Sequence, residues 1–140
     1  MIVIDASVLA NALADDAVDG QAARHELRIA RGIAAPDLVD VETTAVLRRR
    51  WLRGTLPEER FRSAIAALVQ LPFERVPTLR LVPRAVELRA TVSAYDACYV
   101  ALAELLGCAL LTGDGRLATA PGPRCPIRVL RPSAAGPPRG

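Results

Sequence analysis

Four acidic residues are the part of this chain best suited to chemistry: Asp5, Glu42, Asp96 and Asp114. Each stands where an apolar element stops or bends. Asp5 closes the opening run Met1-Ile2-Val3-Ile4, and Asp114 follows Ala109-Leu110-Leu111-Thr112-Gly113. Asp96 opens an almost wholly apolar segment, and Glu42 sits at the edge of another segment's apolar face. Carboxylates against apolar surroundings are costly unless something cationic holds them. Two like charges about 4 Å apart repel by about 4 kcal/mol at an effective dielectric of about 20. A cluster of four therefore raises its own pKa values or binds a cation. Ligands that are all oxygen favour Mg²⁺, with Mn²⁺ as the alternative, over zinc. Such an ion activates water and neutralises an anionic substrate, which suits phosphodiester hydrolysis.

Each acid also has a purely local explanation. Asp5 can cap the helix after it, Asp96 can be a first-turn acid favoured by the helix dipole, and Asp114, between Gly113 and Gly115, can be a turn residue. Glu42 can pair with Arg49 on the same side of its helix. Local roles suffice for any one acid alone, but not for four that map to one place.

The elements that would bring them there are short strands alternating with helices. Ile2–Ile4 reads as a buried strand, followed by a helix over Ala6–Ala14. Gly20–Arg31 is predicted as a second helix ended by Gly32, and Ile33–Ala35 as a strand. Pro36 is expected to open a helix running to Arg53, with Leu38, Val41, Ala45 and Leu52 on the apolar side and Arg48, Arg49 and Arg50 opposite. Thr55 is predicted to cap the next helix, with Pro57 in its first turn and Glu58 completing a capping box; it ends near Leu71 and Pro72. Phe73–Val76 reads as a strand and Leu79–Thr91 as a helix whose start Pro83 marks. Ser93-Ala94-Tyr95-Asp96 has the S-x-x-D capping pattern. The helix Asp96–Leu106 carries Glu104 as its one later charge, so most of its sides are expected to be buried, and Gly107 caps it. Ala109–Thr112 is a strand, Asp114–Ala118 a turn of helix and Ile127–Leu130 a last strand.

This alternation predicts an α/β fold with a central, mainly parallel sheet of four to five short strands, covered on both faces. Residues 1–131 form a single domain, and the Pro/Gly/Ser/Ala-rich segment 132–140 is expected to be a flexible C-terminal tail. In open sheets of this kind sites form at the carboxyl ends of the strands, at the switch point in strand order. Asp5 and Asp114 both fall at carboxyl ends and share one rim if their strands are neighbours. Asp96 returns to that rim if its helix runs antiparallel to the strands.

The composition narrows the class. At 140 residues the chain can bury one substantial core. Its net charge is +3, and all eighteen basic residues are Arg. A mild positive excess permits an anionic partner without demanding one. Three cysteines, Cys98, Cys108 and Cys125, with one histidine, His25, and no C-x-x-C argue against zinc and suit a reducing cytoplasm. Cys98 reads as a small core hydrophobe. No signal peptide or membrane-spanning stretch is visible, so a cytoplasmic protein without membrane association is expected.

Rival chemistries lose essential parts. Response-regulator receivers and haloacid-dehalogenase-like phosphatases also place an Asp after the first strand, but both need a Lys, and the chain has none; the second also needs D-x-D, where position 7 is Ser7. A Ser-His-Asp hydrolase would have to recruit His25, which lies in an Arg-rich helix with no G-x-S-x-G in the chain. No glycine-rich loop ends in G-K-S/T.

With these residues in hand, the chain resembles the PIN-domain proteins, and specifically the VapC toxins of type II toxin–antitoxin modules. The similarity runs from about Met1 to Leu130. It rests on Ile2-Val3-Ile4-Asp5-Ala6-Ser7-Val8, on the Pro36 to Glu42 helix, on Tyr95-Asp96-Ala97 with Tyr99-Val100-Ala101-Leu102-Ala103, and on Leu111-Thr112-Gly113-Asp114-Gly115-Arg116-Leu117. The resemblance implies a PIN-like three-layer α/β/α fold and a Mg²⁺-dependent endoribonuclease. By it, Asp5, Glu42, Asp96 and Asp114 form the acidic, metal-binding quartet, Asp5 and Asp96 being the firmest ligands. Ser7 and Thr112 support the site by hydrogen bonds. Where some PIN domains carry a further acid, Arg116 stands here. The resemblance further implies an RNA substrate, a homodimer and a cognate protein antitoxin. The alternatives are a PIN nuclease of housekeeping RNA processing and a catalytically silent PIN-like binding module.

Overall fold

The structure, a computed structural model, describes residues 1–130. Strand β1 (Ile2–Ile4) is followed by helices α1 (Ala6–Ala14) and α2 (Val18–Ile29), then β2 (Ile33–Pro36), α3 (Leu38–Leu52) and α4 (Glu58–Gln70). Next come β3 (Glu74–Val76), a 3-10 turn (Thr78–Leu81), α5 (Val82–Glu87) and α6 (Ala94–Leu106). Strand β4 (Ala109–Thr112), α7 (Gly115–Thr119) and β5 (Ile127–Val129) complete the described chain. The expected tail, 132–140, lies outside the described residues.

All five strands are parallel, in the order β3-β2-β1-β4-β5. Parallel strands must be buried on both faces, which is why β1, β2 and β4 read as continuous apolar runs. Strand β1 is central and pairs with β4 over its whole length, Ile4 lying opposite Leu111. The strand order reverses between these two, so the condition for a shared carboxyl rim is met at the switch point. The architecture is a three-layer α/β/α sandwich, as expected. Helix α6 lies across β1, β2 and β4, while α1 packs on α2, α3 and α4.

The main core joins both layers through the sheet. Val3, Ile4, Leu110 and Leu111 meet Tyr99, Val100 and Leu102 of α6, all at most 1% exposed. Each large apolar side chain so buried contributes about 1.5–3 kcal/mol. A smaller cluster of Ala10, Leu47, Leu56 and Ala64 ties α1, α3 and α4 together. The run Ala97–Ala103 is wholly buried, confirming that α6 is covered on most sides. Cys98 lies within it, while His25 is exposed.

Helix α6 begins and ends where its residues dictate. Ser93 accepts the Asp96 N–H at 3.2 Å as N-cap. Gly107, at φ +63°, closes the helix in a Schellman pattern, with Cys108 N–H donating to the Ala103 carbonyl and Gly107 N–H to that of Glu104. The chain then reverses into β4, so α6 runs antiparallel to the strands and Asp96 starts at their carboxyl rim.

Several boundaries depart from expectation. Pro36 ends β2 rather than opening a helix. It lies past the last β1–β2 pair, Val3 with Ala34, where a missing N–H costs nothing. Thr55 does not cap α4: its hydroxyl donates to the Arg50 carbonyl, and Pro57 is the flanking residue. The expected helix Leu79–Thr91 is a 3-10 turn followed by the short α5, with Pro83 in the first turn of the latter. Helix α3 buries Val39, Thr43 and Leu47, whereas Val41 is 73% exposed and Leu52 is also exposed. Apolar residues occur all round α3, and its packing against α1 and α4 selects the buried face. Arg50 turns inward to donate to Asn11 Oδ1 at 2.6 Å, so the three consecutive arginines do not form one solvated face.

Candidate active site

Asp5 is the hub. It ends β1, caps α1 and is only 7% exposed. Its Oδ1 accepts Ser7 Oγ–H at 2.6 Å and the Val8 N–H at 3.1 Å, the second being the expected N-cap bond. Its Oδ2 accepts the hydroxyl of Thr112, a fully buried residue at the end of β4. Burial pushes the Asp5 carboxyl upward, and the hydrogen bonds from Ser7, Thr112 and the backbone pull the other way without cancelling it.

Ser7 and Thr112 each join the two strand ends. Ser7 Oγ also accepts the Gly113 N–H at 3.0 Å, and Thr112 Oγ1 accepts the Asp114 N–H at 3.0 Å. The approach at Gly113 is close: a Cβ there would lie 3.0 Å from Ser7 Oγ. A glycine at that position lets the two loops touch.

Glu42 and Asp96 reach the same rim from helices on the two layers. Glu42, in the second turn of α3, accepts the phenolic hydroxyl of Tyr99 at 2.8 Å. Partial burial raises its pKa, the Tyr99 bond opposes this, and the charges of Asp96 and Asp5 raise it further. Asp96 is pushed up in the same way, by burial first and then by the charges of Asp5 and Asp114, with Ser93 and Arg116 pulling downward. Asp5, Glu42 and Asp96 thus feel one another although far apart in sequence, and Asp114 is felt by Asp96. The Glu42–Arg49 pairing does not form; Glu42 is engaged by Tyr99 instead.

Asp114 is held differently. It caps α7, accepting the Arg116 N–H at 2.9 Å. Its carboxylate also takes Arg116 Nε at 3.2 Å and Nη2 at 3.1 Å. The Arg116 hydrogen bonds hold its pKa below the ordinary value. Among the described residues no three His, Cys, Asp or Glu side chains are grouped as a ready metal cage. Asp114, the acid turned toward a cation of its own, is the most weakly committed of the four.

Tyr99 is the site residue that sequence reasoning missed. Its spacing from Asp96, three residues along one helix, puts both on one face, but its partner Glu42 lies on another helix and is invisible from sequence. Tyr99 is 1% exposed, and burial with the Glu42 charge drives its hydroxyl far upward, so it serves as a neutral donor.

The donor set is all oxygen, strongly acidic and partly desolvated, which fits a hard divalent cation. Among the described residues no helix is long and apolar enough to cross a membrane.

Comparison with known proteins identifies the family. The family model for the PIN domain matches residues 2–123. The chain is 44% identical over 130 residues to Ribonuclease VapC9 of Mycobacterium tuberculosis, covering 93% of this chain and 98% of that one. It is 42% identical over 131 residues to Ribonuclease VapC1 of the same organism, covering 92% and 97%. The crystal structure of Mycobacterium tuberculosis VapC20, described as a Sarcin-Ricin loop cleaving toxin, superposes with a TM-score of 0.64 at 22% identity, covering 82% of this chain and 91% of that one. At that identity the likeness speaks to the fold alone.

Proposed function

The chain belongs to the PIN domain family, among the VapC proteins, and from that premise we propose that it is a toxin endoribonuclease of a type II toxin–antitoxin module, acting in the cytoplasm and dependent on Mg²⁺. The observation that carries this reading is the buried Asp5 at the switch point of the sheet, clasped by Ser7 and Thr112 and sharing its field with Glu42 and Asp96. A carboxylate kept out of water and surrounded by like charge is an expensive arrangement for a purely structural cap.

Asp5 and Asp96 would hold the ion, with Glu42 and Asp114 completing its surroundings. When bound, Mg²⁺ or Mn²⁺ supplies an activated water and neutralises charge on the phosphate. The chain's own contribution is positioning. Ser7 and Thr112 fix both oxygens of Asp5, Tyr99 fixes Glu42, and the sheet beneath keeps solvent from Asp5. The exposed Arg48 and Arg49 offer positive charge to an RNA backbone. A homodimer and a cognate protein antitoxin are the expected partners.

The test is cleavage of total RNA by the purified chain, with and without EDTA, alongside Asp5→Asn and Asp96→Asn. Loss of cleavage in both variants and in EDTA, with the circular dichroism spectrum retained, supports the reading. Full activity of either variant, or of the wild type in excess EDTA, sinks it. The Asp114–Arg116 ion pair is the one feature that favours a silent binding module, because it engages one member of the quartet. That reading predicts no metal-stimulated cleavage of any structured RNA while antitoxin binding persists.

A further inference from the structure

Far from the acidic rim, two thiols line one cavity at the opposite, amino-terminal end of the sheet. Strands β4 and β5 pair Leu110 with Ile127. Cys108 and Cys125 each lie two residues earlier, just ahead of the paired residues, so the register carried backward from Leu110 and Ile127 leads to the two cysteines as opposite numbers. The ladder reaches back to Leu110 N–H donating to the Pro126 carbonyl at 2.9 Å, one residue after Cys125. Neighbouring strands lie about 4.8 Å apart, within the range of about 4.4–6.8 Å between Cα atoms that a disulfide spans.

The surroundings agree with the register. Both cysteines are free and partly buried, and both line one surface cavity of about 440 Å³, with Glu104 and Arg124 on its polar side. Both also lie just outside their strands, Cys108 immediately after the left-handed Gly107 and Cys125 in a bend before Pro126. Cys108 is held by the Val3 backbone and Cys125 feels the charge of Cys108, so closing the bridge asks the Cys108 side chain to leave Val3 and turn toward β5. Cys98 is buried in α6 and takes no part.

We propose that Cys108 and Cys125 form a dithiol site that a hydroperoxide closes into an intramolecular disulfide, stapling the edge strand β5 to β4. The chemistry balances without any bound cofactor. One thiolate attacks the peroxide oxygen, giving a sulfenic acid and releasing an alcohol, or water when the oxidant is hydrogen peroxide. The second thiol attacks that sulfur, forms the S–S bond and expels water. Two thiols lose two electrons and two protons, and one peroxide is reduced. Burial raises both thiols above the ordinary value, and Cys125 is raised further by Glu104 and by Cys108 itself. The pair is accordingly a slow responder whose closure speeds up as pH rises. The bridge closes a loop that carries Thr112, Asp114 and α7, so it ties the redox state of the chain to the segment that presents Asp114. The proposal does not depend on the catalytic reading.

The experiment treats the full reduced chain with hydrogen peroxide, then alkylates it under denaturing conditions and weighs it, intact and after proteolysis. The expected result is a monomer lighter by two hydrogens, one alkylatable thiol at Cys98, and a linked peptide joining Cys108 to Cys125. Thermal melting should move upward on oxidation and return with dithiothreitol. Cys108→Ser and Cys125→Ser should each abolish the intramolecular bridge, while Cys98→Ala should keep it. Three alkylatable thiols after treatment, a bridge through Cys98, disulfide-linked dimers alone, or only higher oxides on separate cysteines would each overturn the proposal.

Discussion

Thr112 donates its hydroxyl to the buried carboxylate of Asp5, and this contact, beside the Gly113 bond to Ser7, joins the ends of two strands, 107 residues apart in the chain, into a single site. The same oxygen accepts the Asp114 N–H, so Thr112 also anchors the loop that carries the last acid. Thr112→Val keeps the shape and removes both bonds. Leaving the buried Oδ2 of Asp5 without its donor, while Ser7 and Val8 still serve Oδ1, costs about 1–3 kcal/mol, and cleavage should fall by at least tenfold. Thr112→Ser should retain most of both. Urea unfolding and a cleavage time course measure the two effects together.

Asp5→Asn should separate stability from function. Burial raises the Asp5 pKa in the folded chain, so this group costs stability as pH rises above its unfolded value, the full cost being reached above its folded one. Removing the charge in the metal-free protein should leave the melting temperature unchanged or higher, while cleavage is lost. A marked drop in melting temperature would mean that the charge itself is structural.

Tyr99→Phe removes the hydroxyl that holds Glu42 without disturbing the ring packing of α6. The expected cost in stability is about 1 kcal/mol. Cleavage should fall in kcat more than in KM, because Glu42 is released from its position rather than lost. An unchanged kcat would show that Tyr99 merely satisfies its own hydroxyl.

Acid sensitivity should come from Glu104. Its carboxylate takes Arg84 Nε at 2.7 Å, Arg84 Nη2 at 3.1 Å and the Arg124 N–H at 2.7 Å, joining α5 and α6 to the loop before β5. The Arg84 hydrogen bonds hold its folded pKa below the ordinary value of 4.5. A depressed carboxylate pKa contributes stability that is present above the unfolded value and lost as pH falls through the folded one. Below about pH 4.5 the wild type should therefore lose stability more steeply than Glu104→Gln, which starts lower at neutral pH. Parallel urea titrations across that window read the difference in slope.

Thr43 is fully buried in α3, and its hydroxyl has no hydrogen-bond partner among the described residues. Thr43→Val replaces an unsatisfied polar atom with a methyl group of nearly the same size. Stability should rise by about 1 kcal/mol, visible as a higher urea midpoint at unchanged m-value.

Much of this protein was legible in the residues themselves. The apolar runs around Val3 and Leu110, the cap at Ser93, the stop at Gly107 and the placing of Asp5 and Asp114 at strand ends all follow from local rules of burial, capping and backbone freedom. Local rules failed where two explanations were locally equal. Pro36 suits the first turn of a helix as well as the last residue of a strand, and α3 is apolar on several sides, so nothing within it chose Val39 and Leu47 over Val41 and Leu52. Only the tertiary structure decided that β1 and β4 are neighbours, that Thr112 serves Asp5, that Tyr99 rather than Arg49 engages Glu42, and that Arg116 turns back onto Asp114. The reason is physical: caps and turns are satisfied within a few residues of chain, whereas strand order and side-chain pairing are settled by which distant surfaces exclude water from each other.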